Sequence, residues 1–234
     1  MQFNEINQLT AYEYTAEQLD ILDLLQPWKH EYWNKVASKK SEYRELIKGC
    51  SDKQRIANIK SNLSVLTNLN VTKIKESIKA HLLGEVQQNG KCYYCEGTFT
   101  LPKGVGDPEI DHFAHKAKYN KFTFTSNNLV LACHQCNSFS KKGYNDTVYE
   151  YDENYMSCKF TIIHPYFDNK SEHMIFDHDV KIWLIKNDSK KAMETIRMFK
   201  LNEVSSVIDI PRQKESTKNE YSDLIDSIST FQGN

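Results

Sequence analysis

No run of about 18 apolar residues occurs in this sequence, which excludes a helix that spans a bilayer. Glycine and proline are scarce, at 8 and 5 of 234 residues, which excludes a long flexible linker or a low-complexity chain. An excess of one charge sign is also missing. The 30 basic and 31 acidic residues leave a formal net charge of -1, so there is no global basic field. Any nucleic acid bound here has to be held by a local patch or with a partner's help. The opening stretch, MQFNEINQLTAYEY, lacks a basic region followed by an apolar one, so a cytoplasmic location is expected. The six cysteines are then expected to be reduced.

What is present suffices for a core. Hydrophobic residues make up 39% of the chain and aromatics 12%, and the length suits one large domain or two small ones. An α+β organisation in three parts is expected, with no internal repeat. Residues 1–90 read as helical. Thr15 with Gln18 is a capping-box pattern, followed by Leu19, Leu22 and Leu25 at helical spacing. Pro27 suits the first turn of a second helix carrying Trp28, Tyr32, Val36, Tyr43 and Leu46 or Ile47. Asp52 opens a third helix through Ile56, Ile59, Leu63 and Leu66. Val71, Ile74, Ile78 and Leu82 mark a fourth, ended by Asn89-Gly90. Residues 91–146 replace that periodicity with cysteine pairs, Gly97, Pro102, Gly104, Gly106 and Pro108, and read as turns, short strands and a hairpin. Residues 147–234 read as mixed, with strand-like runs at Lys159 to His164 and Val180 to Lys186. Asp188 or Ser189 then caps a helix through Met193, Ile196 and Phe199. A last helix carries Tyr221, Leu224, Ile225, Ile228 and Phe231. Lysine-rich faces such as Lys39-Lys40 are expected to be solvated.

Four cysteines carry the strongest signal: Cys92-x2-Cys95 and Cys133-x2-Cys136. A CxxC turn aims two thiolates at one point, and two such turns complete a tetrahedral site for Zn²⁺. Four thiolates leave no open coordination position, so this metal is expected to be structural. Cys50 and Cys158 have no such partner and read as small buried apolar residues.

Between the two pairs lie Glu109-Ile110-Asp111-His112-Phe113 and Asn127-Asn128-Leu129, with Asn137 directly after the last cysteine. Asp111 and Asn137 offer hard oxygen donors suited to Mg²⁺ or Mn²⁺. An imidazole such as His112 titrates near neutral pH and can take a proton from water. A base, a phosphate-binding ion and a rigid frame are the parts of a phosphodiester hydrolase. His134, inside the second turn, reads as exposed filler, and His164 as a packing and hydrogen-bonding residue.

Together Cys92-x2-Cys95, Asp111-His112, Asn128-Leu129 and Cys133-x2-Cys136-Asn137 resemble an HNH endonuclease of ββα-metal fold with a four-cysteine zinc site. The resemblance implies His112 as the general base and Asn128 as the residue that pins the hairpin loop. It implies Asp111 and Asn137 as ligands of the catalytic ion. It covers residues 88–145, about a quarter of the chain. A finer likeness takes in Cys92-Tyr-Tyr-Cys95-Glu96, His112-Phe-x-x-Lys116, Lys141-Lys142-Gly143, His164-Pro-Tyr-Phe-Asp168 and Ile196-x-x-x-x-Leu201-Asn202. These resemble PtuB-type HNH proteins of Septu and some retron anti-phage systems, which act with an ATPase called PtuA. That likeness implies a PtuA-like ATPase as partner, with DNA as the favoured target. A tRNA target and a retron reverse transcriptase with its RNA-DNA hybrid are further partners it implies.

Residues 91–145 hold seven lysines (91, 103, 116, 118, 121, 141, 142) against four acids (96, 107, 109, 111), a local excess of three positive charges. Lys116, Lys118, Lys121, Lys141 and Lys142 are the expected phosphate contacts, while Phe113, Tyr119, Phe122 and Phe124 are expected to build the module's core. The aromatic side chains of Trp28, Tyr32 and Trp33 suggest that the N-terminal helices dock the partner.

Overall fold

A computed structural model describes residues 6, 8–25, 36–48, 50–99, 105–138, 140–143, 145–177, 179–180 and 182–203. Trp28, Tyr32 and Trp33, the 221–231 helix and the Pro102–Gly104 part of the zinc loop lie outside the described residues.

The first helix, α1 (Ala16–Asp23), carries the expected capping box. The Thr15 hydroxyl accepts from the Gln18 amide, and the Gln18 side chain accepts from the Thr15 amide. Leu22 and Leu25 enter the core, whereas Leu19 is exposed. Helix α2 (Val36–Lys48) follows, then α3 (Lys53–Val65), capped by Asp52 as expected. Lys39 is buried against Tyr43, its ammonium 5.2 Å from the ring centroid. It is therefore not a solvated lysine, because its aliphatic stem packs and only the head needs a polar partner.

Helix α4 (Asn68–Leu83) buries Val71, Ile74, Ile78 and Leu82, the expected stripe. It stops at Gly84, short of Asn89-Gly90. The amides of residues 87–90 turn back onto carbonyls of Leu82, Leu83 and Gly84. Asn89 and Gly90 then take left-handed φ of 48° and 65°, the conformation that favours Gly and Asn.

The centre is an antiparallel hairpin. Strand β1 (Glu109–His112) pairs with β2 (Leu129–Ala132), with Asp111 opposite Val130 and His112 opposite Leu129. A one-turn helix, α5 (His134–Asn137), follows directly. The buried side chain of Gln88 closes the outer edge of β2, donating to the Leu131 carbonyl and accepting from its amide, both at 2.8 Å.

Beyond the hairpin come β3 (Val148–Glu150) with β4 (Lys159–Phe160), α6 (Lys170–His173), β5 (Met174–Asp177) with β6 (Ile182–Ile185), and α7 (Lys190–Phe199). Both expected strand runs are shorter than their sequence pattern. The first ends after Phe160. The second begins at Ile182, because Asp177 accepts from the amides of Asp179 and Val180 and makes a turn there. Ser189 caps α7 as expected, accepting from Ala192. One buried cluster runs from Ile6 through the hairpin to Leu201, so helices, hairpin and C-terminal elements share a core. It includes Phe113, Tyr119, Phe122 and Phe124. Cys158 is buried, but Cys50 is only half-buried, its thiol donating to the Asp52 carbonyl at 3.7 Å. Among the described residues no helix is long and apolar enough to cross a membrane.

Candidate active site

The two cysteine turns meet. The sulfurs of Cys92, Cys95, Cys133 and Cys136 all lie within 4.8 Å of one another, and all four residues are buried. The Cys95 and Cys133 sulfurs are 3.9 Å apart, close to the roughly 3.8 Å that tetrahedral geometry with Zn–S bonds of about 2.3 Å requires. Hydrogen bonds from Cys136, Cys92 and Cys95 hold the Cys133 thiol well below its ordinary value. These cysteines are positioned to hold one metal ion, and a set of four sulfur donors with closed geometry fits structural zinc. Glu96 ends the first turn at a left-handed φ of 57°. Its carboxylate is held there by the buried Lys170 ammonium at 2.8 Å.

The staple places the second turn beside β1. Asn137 closes α5, and its amide bonds back to the Cys133 carbonyl at 3.0 Å. Asp111, His112 and Asn137 line one cleft of about 300 Å³, and Ile110, His115, Lys116 and Gly143 also line it among the described residues.

His112 is buried, and its Nε2 lies 3.0 Å from the Thr123 carbonyl. A carbonyl only accepts, so Nε2 carries the proton and the lone pair falls on Nδ1. Burial first, then the charges of Lys116 and Lys142, push this imidazole well below its usual value, which keeps it neutral at pH 7. The orienting carbonyl belongs to the 113–128 loop, and Asn128 holds that loop. Its Oδ1 accepts from Ala114 (2.6 Å), and its Nδ2 donates to the carbonyls of Phe122 (2.9 Å) and Ala114 (3.2 Å). Asn128 is wholly buried. The expected loop-pinning residue thus sits one hydrogen-bonded loop away from the expected base.

A further layer was not legible in the sequence. Tyr155 donates to Asn128 Oδ1 at 3.0 Å and meets His164 Nε2 at 2.9 Å. His164 Nδ1 accepts from the Tyr166 amide at 3.1 Å, so Nε2 is its protonated nitrogen. Its ring stacks on Phe167 with centroids 4.0 Å apart. His164 is therefore a packing and hydrogen-bonding residue, as expected. Its link to Asn128 runs through a tyrosine that no motif marks.

Asp111 is clamped on both oxygens, by the Tyr94 hydroxyl at 2.5 Å and the Lys142 ammonium at 2.8 Å. Burial and the neighbouring Asp111 hold the Tyr94 hydroxyl well above its ordinary value, so it stays a donor. Tyr94 stacks on Phe199 of α7 at 3.9 Å. A carboxylate offers about four lone-pair positions, so two donors leave room for a cation. Lys142 also donates to the His112 carbonyl at 2.6 Å, and its side chain is only 2% exposed. The expectation that Lys142 contacts phosphate at the surface is corrected here. The segment after the second cysteine turn folds back under β1, and its ammonium is consumed by Asp111.

The other expected contact lysines scatter. Lys116 is half-buried on the cleft wall, and burial lowers its ammonium. Lys118 pairs with Asp146, Lys121 with Glu153 at 2.5 Å, and Lys141 is half-buried. Lys75, on α4, was not expected near the site. Burial first, then the charges of Lys116 and Lys79, bring its ammonium down to about 8. His134 is exposed but not idle, since its Nδ1 lies 2.9 Å from Glu109 Oε1.

Fold and site define an α+β protein whose central hairpin is flanked by a buried four-cysteine cluster positioned to hold a metal ion. No family model matches the chain. Among curated proteins it has a homologue in the Septu protein PtuB of Bacillus mycoides (strain KBAB4). The two are 25% identical over 163 residues, covering 61% of this chain and 53% of the relative. The chain thus spans about half the length of that relative.

Proposed function

We propose that this chain is a metal-dependent HNH endonuclease that cleaves nucleic acid as part of a bacterial anti-phage defence complex. The supporting observation is the convergence of Asp111, His112 and Asn137 on one cleft, with the His112 lone pair directed to Nδ1 by Thr123. In this reading His112 Nδ1 takes a proton from water while the water oxygen attacks the phosphorus. The bond to the 3′ oxygen breaks, leaving 5′-phosphate and 3′-hydroxyl ends, and the departing oxygen takes its proton from solvent. The Asp111 carboxylate and the Asn137 amide oxygen would hold Mg²⁺ or Mn²⁺. When bound, such an ion stabilises charge on the phosphate and the leaving oxygen. Lys116, on the cleft wall, attracts the strand. The similarity to a Septu PtuB supports the defence role and an ATPase partner of PtuA type. With a net charge of -1, the chain alone binds nucleic acid weakly, and DNA delivered by that partner is the favoured substrate.

The test is cleavage of labelled DNA and RNA by the zinc-loaded chain in Mg²⁺, alone and with an ATPase encoded beside it. His112→Ala should lower the rate at least about 100-fold, the least a general base contributes, and keep its zinc. It should also cost about 1–3 kcal/mol of stability, because the buried Thr123 carbonyl loses its donor. A folded His112→Ala protein that cleaves at the wild-type rate overturns the mechanism. A wild-type protein inert in both settings supports a non-catalytic binding module instead.

A further inference from the structure

We infer that Glu109 is a positioning residue, which fixes the Asn137 amide so that its oxygen, not its nitrogen, faces the cleft. His134 holds Glu109 in place for that task. The inference deepens the metal-dependent reading above and rests on it.

The register of the hairpin sets up the contact. Glu109 lies two residues before Asp111, on the same face of β1, and pairs with Ala132, immediately before Cys133 and α5. Its carboxylate therefore meets the first turn of α5. Oε2 accepts from Asn137 Nδ2 at 2.7 Å, and Oε1 lies 2.9 Å from His134 Nδ1. An asparagine amide can turn over about its last torsion and present either atom. An ionised carboxylate accepts and cannot donate, so only the NH₂ group satisfies Glu109. Oδ1 is then left for the cleft that Asn137 shares with Asp111. If the amide turned over, NH₂ would face the cation and Oδ1 would face a carboxylate, unfavourable on both sides. Each oxygen of Glu109 has its own partner on α5, so the carboxylate is held at two points.

Groups that orient a metal ligand change metal affinity about 10–100-fold. The Glu109 side chain is 40% exposed, so the low end applies. The probe is Mn²⁺, added to the full zinc-loaded chain, with free Mn²⁺ read by electron paramagnetic resonance. Glu109→Ala should weaken Mn²⁺ binding about 10-fold at unchanged zinc content. Glu109→Gln should weaken it as well, because a glutamine amide can itself turn over and has one acceptor oxygen for two partners on α5. Asn137→Asp supplies the sharper control. A carboxylate has two equivalent oxygens and cannot be turned the wrong way, so adding Glu109→Ala to Asn137→Asp should cost no affinity. Wild-type affinity in Glu109→Ala overturns the inference. So does an equal loss when Glu109→Ala is added to Asn137→Asp, which would mark the charge of Glu109, not its orienting hydrogen bond, as the active feature. Unchanged Mn²⁺ binding in Asn137→Ala would overturn the underlying metal assignment itself, a different result from either.

Discussion

Replacing Lys142 by methionine separates a buried strut from a phosphate contact. The ammonium sits 2.8 Å from Asp111 Oδ1 and 2.6 Å from the His112 carbonyl, with 2% of the Lys142 side chain and 7% of the Asp111 side chain exposed. Methionine fills nearly the same volume, so the change removes the charge and two hydrogen bonds while leaving little cavity. Asp111 keeps only the Tyr94 hydroxyl. Removing one partner of a buried pair costs about 3–5 kcal/mol, because the other charge stays desolvated. In a chain of this size that corresponds to a fall in melting temperature of about 6–20 °C. The assay is urea unfolding at pH 7 with zinc held at a fixed excess. The double variant Asp111→Asn, Lys142→Met should be more stable than Lys142→Met alone, since no charge is then left unpaired. A surface phosphate contact would behave differently. Its loss would leave stability within about 0.5 kcal/mol and lower the salt slope of nucleic-acid binding by about one. That second pattern would refute the strut.

Cys92→Ser or Cys136→Ser should lose the metal and melt the central module, since structural zinc supplies on the order of 10 kcal/mol. One zinc per chain by mass spectrometry and an unchanged melting curve would contradict the four-cysteine assignment. Stability should fall below about pH 6.5. Burial first, then Lys191, hold the His164 imidazole well below its usual value, so the unfolded chain takes up its proton first as pH drops. The contribution is complete above the unfolded value. It declines below it by about 1.4 kcal/mol per pH unit for each such histidine. His164→Asn should flatten that decline between pH 6.5 and 5.5 in urea midpoints, and parallel slopes for the two proteins would refute the coupling.

Local chemistry was readable along the chain because its causes are local. A CxxC turn aims its own two sulfurs. Thr15 and Gln18 satisfy each other across one turn. The stripe of Val71, Ile74, Ile78 and Leu82 needs only the helical period. The adjacency of Asp111 to His112, and of Asn137 to Cys136, is written in the order of residues, and the staple converts that order into one cleft. Other features depend on which segments meet, which no local pattern carries. Lys142 and Lys118 are both lysines beside aromatic-rich sequence. One is buried under β1 because the chain doubles back after the second turn, and the other stays at the surface with Asp146. Tyr155 reaches Asn128 across 27 positions, Phe199 stacks on Tyr94 from the far end of α7, and Gln88 closes the edge of β2 across 43. Lys75 sits on an ordinary helical face until α4 packs near Lys116. Burial and charge at the cleft are sums over such long-range neighbours, so only the tertiary structure decided which lysines face it and which carboxylate aims Asn137.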